Sequence, residues 1–187
     1  MNTITLQAPS KLSHWLRIYK LYRSAFPRAE RKPFSTIVSK YRQGIFDVWC
    51  ICRDGKFSGI ATTINHGDLI LIDYLAVCPE CRSQGIGSAA LQLLKDKYAG
   101  KDLLLEIESV YEDHPEKALR LRRKAFYLRC GMIPMGVMIN LFGVAMELMS
   151  FGRTVTFDEY LSIYTDSTGH WIASHIHSLP WPDKAEK

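Results

Sequence analysis

The chain has 187 residues, 47% hydrophobic and 23% charged, with a formal net charge of +5. That length suits one domain with a sizeable core, and so mild a charge suits a small anionic ligand while falling short of a nucleic-acid signature. No apolar run of about 18 residues is long enough to span a membrane, and MNTITLQAPSKLSHW lacks the basic start and apolar stretch of a signal peptide. A cytoplasmic location is therefore expected, with the five cysteines as reduced thiols, an odd count that fits no closed disulfide framework.

In chain order, Leu12, Leu16, Ile18, Leu21 and Tyr22 recur at roughly helical spacing until Pro27 interrupts. The basic stretch FPRAERKPF follows, then a short helix around 36–42. It reads as a structured linker or as an acceptor loop containing Glu30, Pro33 and Phe34. IFDVWCICR and KFSGIATTI are strands joined by the turn Asp54-Gly55. LILIDYLAV, residues 69–77, is a strand apolar enough to be covered on both faces. Residues 86–98 form an amphipathic helix with Ile86, Ala90, Leu93 and Leu94 along one side. The strand LLLEIES completes a strand–helix–strand crossover, which joins parallel strands. A helix over 116–130 is capped by Gly131. IPMGVMINL and GVAMELMS are further strands, and Thr156 with Glu159 makes a capping box for a last helix.

The segment CPECRSQGIG, residues 78–87, supports two chemistries. Cys78 and Cys81 have clip spacing, but a tetrahedral metal needs four ligands, and no metal is expected here. Arg82-Ser83-Gln84-Gly85-Ile86-Gly87 lies between an apolar strand and an amphipathic helix. There glycines permit close backbone approach, unpaired N–H groups attract anions, and Arg82 adds a fixed charge. The spacing fits neither a dinucleotide fingerprint nor a Walker loop.

Leu75 to Gly87, LAV-x-P-x-x-R-x-x-G-I-G, resembles the acetyl-CoA-binding signature of the GNAT superfamily of N-acetyltransferases. A second segment, AFYLRCGM at 125–132, looks like that superfamily's F-Y-x-x-x-G-F stretch, with Met132 replacing the usual aromatic. The resemblance implies an α/β (mixed α+β) fold: a mostly antiparallel sheet with one splayed parallel strand pair, flanked by helices. Residues 1–150 would form the acetyltransferase domain, with 151–187 a helix and tail docked on it.

The implied function is transfer of an acetyl group from acetyl-CoA, as cosubstrate, to a primary amine of a small molecule or peptide. The amine would attack directly in a ternary complex. A non-catalytic acyl-CoA sensor or scaffold of the same fold is the alternative. In the family, CoA wedges between the two parallel strands. By that resemblance the backbone of Leu75, Ala76 and Val77 would hold the pantetheine arm and the oxyanion, and Arg82 to Gly87 the pyrophosphate. Tyr127 would be the general acid for the departing thiolate. Helical geometry places Ala118, Leu121, Ala125 and Leu128 on the expected core stripe and Tyr127 roughly opposite, so packing of this helix alone does not account for Tyr127. Read without the resemblance, Tyr127 is a surface tyrosine or one covered by another element.

An amine of lysine type is neutral only about once in 2,500 molecules at pH 7, a handicap of roughly 4–5 kcal/mol, so a base is needed. Asp73 is the first candidate, being a charge within an apolar strand. Glu106 and Glu108, which share one face of the next strand, are the alternatives, or else they line a polar sheet face. The asparagine common in the family after the second parallel strand is missing, and the stretch 111–116, YEDHPE, stands there instead. In the tail, Trp171, Ile172, Ile176 and Leu179 are expected to dock on the domain or on a second subunit, which would make a homodimer.

Overall fold

The computed structural model describes residues 3–182. In chain order the elements are β1 (Ile4–Gln7), α1 (Leu12–Ala25), α2 (Phe34–Arg42), β2 (Phe46–Arg53), β3 (Lys56–His66), β4 (Leu69–Val77), α3 (Ile86–Lys97) and β5 (Asp102–Glu108). Then come α4 (Lys117–Arg129), β6 (Ile133–Leu141), β7 (Val144–Ser150), α5 (Phe157–Thr168), α6 (His170–Ala173) and β8 (Ile176–Leu179). The eight strands follow the order β1-β2-β3-β4-β5-β7-β6-β8, mostly antiparallel, with β4 and β5 the parallel pair. The chain divides into two compact units, Met1–Asn65 with Ile72–Gly100, and His66–Leu71 with Lys101–Lys187.

In the first unit, β2 and β3 pair antiparallel from Arg53↔Lys56 to Phe46↔Ile64. The two-residue loop needs positive φ at both positions, and Asp54 (49°) and Gly55 (75°) supply it. The core gathers Ile37, Phe46, Val48, Ile60, Ile64 and Leu91, all essentially without exposure. Helix α1 adds Ile18, Leu21 and Tyr22 to it, but Leu12 and Leu16 stay 75% and 61% exposed. The single apolar face expected for this helix is therefore two stripes, of which one is buried.

In the second unit, β7 pairs with both β5 and β6, and β6 with β8. The capping box at Thr156 is present, with the Glu159 N–H donating to Thr156 Oγ1 and the Thr156 N–H to Glu159 Oε2. Helix α4 departs from expectation. Leu121 and Leu128, assigned to the core stripe, are 48% and 44% exposed, while Arg120 and Tyr127 are buried. The cause is electrostatic. Buried carboxylates on neighbouring strands draw the basic side of the helix inward: Arg120 reaches Glu108 and the Ser109 carbonyl, and Lys124 reaches Glu147 at 2.6 Å. A charge buried with a partner is tolerable, whereas the same carboxylates facing leucines would stand unpaired.

The helix ends in a Schellman arrangement: the Met132 N–H donates to the Tyr127 carbonyl and the Gly131 N–H to that of Leu128. Gly131 has φ +88°, which a side chain would disfavour, and the turn delivers Met132 into the core at 1% exposure.

Candidate active site

Strand β4 leads into the glycine-rich turn. Its burial falls from complete at Ile70 and Leu71 to alternating from Asp73 onward, so that Asp73, Leu75 and Val77 share one partly open face and Tyr74 and Ala76 the buried one. A single 3-10 turn over Pro79–Cys81 follows. Arg82, Ser83, Gln84 and Gly85 lead from it to Ile86 and Gly87, which open α3, and Ser83, Gln84 and Gly85 are exposed. Ser83 (φ 59°) and Gly85 (φ 75°) are both left-handed, a bend that presents successive backbone amides at the start of α3, where the helix itself offers no acceptors. Gln84 is held on both sides: it donates to the Glu80 carbonyl at 3.0 Å and accepts from Arg53. Arg53 was not anticipated beside this turn. It ends β2, and only the β2–β3 hairpin brings it to Gln84, so Arg82 and Arg53 together make the turn cationic.

Gly59 was also missed. A Cβ there would lie 2.5 Å from the Ala76 carbonyl oxygen and 3.2 Å from Val77 Cα, and the Cys78 N–H donates to the neighbouring Ser58 carbonyl at 2.8 Å. The end of β4 is thus pressed against β3 at a position only glycine fits. An isolated glycine inside a strand is the one sequence signal that pointed there.

Burial pushes the Cys78 thiol up to about 11, with Glu80 adding to the rise. A reactive cysteine needs the opposite shift.

Tyr127 is buried, and that burial pushes its phenol up to about 12 while the Arg123 charge pulls the other way. Phe126 stands edge-on to its ring at 5.0 Å. No group among the described residues hydrogen-bonds the hydroxyl, so it is an orientable donor that keeps its proton at neutral pH.

The three carboxylates proposed from sequence have different surroundings. Glu106 Oε1 accepts from the hydroxyls of Tyr160 and, at 2.8 Å, Tyr164. Glu108 is clasped by Arg120 and Arg123. Asp73 pairs through Oδ1 with Lys32 Nζ at 2.5 Å, and its Oδ2 is buried without a hydrogen-bond partner among the described residues. The stretch FPRAERKPF is strapped over this carboxylate. The Lys32 N–H donates to the Tyr74 hydroxyl, which donates to the Glu30 carbonyl, while Tyr22 donates to the Lys32 carbonyl. Glu147, which sequence reading passed over, is fully buried on β7. Burial alone would lower its Lys124 partner, but bonds to Glu147 and Tyr111 raise that ammonium instead.

With this geometry in view, the comparisons agree on one family. The acetyltransferase (GNAT) family pattern matches residues 15–132. The chain belongs to the GNAT family of acetyltransferases.

A relative of this GNAT chain, the protein YjbC of Bacillus subtilis (strain 168), is 43% identical over 60 residues, which are 32% of this chain and 29% of that protein. The chain thus matches less than a third of that relative's length. Among solved structures, a GNAT-family protein from Bacteroides thetaiotaomicron superposes with a TM-score of 0.69 at 21% identity, over 90% of this chain and 99% of that one. An aminoglycoside 6′-N-acetyltransferase complexed with coenzyme A gives a TM-score of 0.64 at 16% identity, over 82% and 98%. At these identities the likeness establishes the GNAT fold. No helix among the described residues is long and apolar enough to cross a membrane.

Proposed function

We propose that the protein transfers an acetyl group from acetyl-CoA to a primary amine of a small molecule or peptide, by direct attack in a ternary complex. The observation that carries this reading is the doubly left-handed turn from Arg82 to Gly85 at the start of α3, with Arg82 and Arg53 beside it. That is the chemistry of a pyrophosphate site. Solved family members lend it support, one of them being an N-acetyltransferase complexed with coenzyme A.

In this proposal the backbone of Leu75, Ala76 and Val77 holds the pantetheine arm, and the Val77 N–H stabilises the tetrahedral oxyanion, a donor worth a few kcal/mol in acyl transfer. The residues Arg82, Ser83, Gln84, Gly85, Ile86 and Gly87 hold the phosphates. The amine nitrogen forms its bond to the acetyl carbon as the carbon–sulfur bond breaks. Asp73 accepts the amine proton, directly or through water, and its unpartnered Oδ2 makes it a better base than Glu106 or Glu108, whose oxygens are engaged by phenols and guanidinium groups. Tyr127 donates to the departing sulfur.

Calorimetric titration with acetyl-CoA, comparing the wild type with Arg82→Glu, tests the cradle. Saturable binding that the substitution abolishes is the expected result, followed by release of free CoA thiol on adding amines. No binding by the wild type would remove the proposal's basis. Tight binding without transfer to any amine would leave the non-catalytic sensor.

A further inference from the structure

Charge is unevenly divided along the chain. Residues 1–42 contain nine Lys and Arg against one acid, Glu30, whereas the remainder contains fifteen against eighteen acids. The basic segment is the α1–α2 hairpin, which also carries a second apolar stripe on α1. Leu12, Trp15, Leu16 and Tyr19 follow the i, i+3, i+4, i+7 spacing of one helix face, and Leu12, Leu16 and Tyr19 are 75%, 61% and 39% exposed. The other face, with Ile18, Leu21 and Tyr22, already serves the core; of the second stripe, Trp15 and Tyr19 pack on α2, while Leu12 and Leu16 stay open.

The stripe borders a groove. Leu12, Trp15, Val38, Tyr41 and Arg42 line a cavity of about 290 Å³ between the two helices. Its floor is aromatic: the Trp15 ring meets Tyr41 edge-on at 5.2 Å and Phe34 at 6.2 Å. Its rim is cationic: Arg42 lines the groove, and Lys11 next to Leu12 and Arg23 next to the Tyr19 ring are exposed. Arg23 is steadied at 5.6 Å over the Tyr19 ring. An apolar groove ringed by charge of one sign fits a helix-in-groove partner of the opposite sign.

We infer that the α1–α2 groove docks an acidic amphipathic peptide segment of another protein, its apolar side chains filling the groove and its carboxylates meeting the rim. Charge argues against a second copy of this chain in a twofold arrangement, which would set two such cationic rims against each other. Concavity argues against a flat membrane surface, which an amphipathic helix meets with a convex face. The inference does not depend on the acetyl-transfer proposal, since the groove uses none of the residues assigned to the cofactor or the acetyl transfer.

Fluorescence anisotropy of a labelled synthetic helix, with Leu and Phe at i, i+3, i+4 and i+7 and Glu elsewhere, tests it on the full chain. The expected result is saturable binding that weakens with salt. It should fall about tenfold or more for a scrambled peptide and for Leu16→Glu, and fall measurably for Arg42→Glu. Both positions are exposed, so the variants should keep the wild-type melting temperature; should Leu16→Glu misfold, Leu12→Ser carries the same test. Equal binding of the scrambled helix would overturn the inference. So would preferential binding of phosphatidylglycerol vesicles or single-stranded DNA that the same substitutions abolish. A dimer in sedimentation velocity that Leu16→Glu dissociates would overturn it as well.

Discussion

The ammonium of Lys32 stands 2.5 Å from Asp73 Oδ1, an amine already held by the carboxylate that we propose accepts a proton from an amine. Lys32 thus balances the charge of a carboxylate that is 3% exposed, and an incoming cationic acceptor would have to share or displace it. Asp73→Asn should lower acetylation at neutral pH by about 100-fold while leaving acetyl-CoA affinity unchanged. The deficit should shrink as pH rises and the acceptor amine loses its own proton. A purely structural role would instead lower the melting temperature and leave the shape of the pH profile unaltered, so both are measured on the same preparation.

Tyr127→Phe removes only the hydroxyl. The ring's packing and the Schellman turn to Met132 stay, because that turn uses the Tyr127 carbonyl. Turnover should fall by about 10–100-fold with little change in acetyl-CoA binding. With the phenol held up near 12, wild-type activity should show no loss attributable to Tyr127 ionisation below about pH 10. Steady-state rates for both proteins across pH check this, and unchanged turnover removes Tyr127 from the mechanism.

Gly59→Ala should destabilise the protein by about 1–3 kcal/mol, because the new methyl would meet backbone at Ala76 and Val77 rather than a movable side chain. It should also weaken acetyl-CoA binding, since what shifts is the end of β4. Gly67→Ala is the control. Its backbone is left-handed (φ +56°) but its surroundings are open, so it should cost about 1 kcal/mol and spare binding. Urea unfolding and calorimetry on the pair separate overpacking from backbone strain.

The capping carboxylate Glu159 is lowered from 4.5 to about 2 by its bond from Arg153, helped by Thr156. A depressed folded value means its contribution is present above the unfolded value and is lost as pH falls from about 4.5 toward 2. Wild type should therefore melt higher than Glu159→Gln at neutral pH, and the two curves should converge on the acid side of that window. A difference that persists unchanged at pH 2 would assign the effect to the cap's neutral hydrogen bonds.

The parts of the fold that were legible from sequence are those set by local rules. The bounds of β4 and β6, the capping box at Thr156 and the stop at Gly131 follow from alternation, cap chemistry and positive φ. The turn from Arg82 to Gly87 was legible for the same reason, since a glycine-rich link between strand and helix is a local object. The four-residue β1 was not, because its pairing with β2 from Ile4↔Arg53 to Gln7↔Cys50 is long-range. The inward face of α4 was misread because Glu108 and Glu147, on strands before and after it, decide which side turns in. What surrounds the three candidate bases was not legible for a related reason. Lys32, Tyr160, Tyr164, Arg120 and Arg123 engage their oxygens, and all five are distant in sequence from the carboxylates they bind.

The buried state of Cys78 bears on the route of the proposed acetyl transfer. A thiol pushed up to about 11 is ionised only about once in ten thousand molecules at pH 7. Adjacent to Val77, where the proposed thioester would be held, a readily ionised cysteine would invite thioester exchange onto the protein and a two-stage, acetyl-enzyme route. A protonated, buried one is a poor trap for the acyl group. Acetyl-CoA bound there would stay intact until an amine arrives, and kinetics should give intersecting rather than parallel double-reciprocal lines.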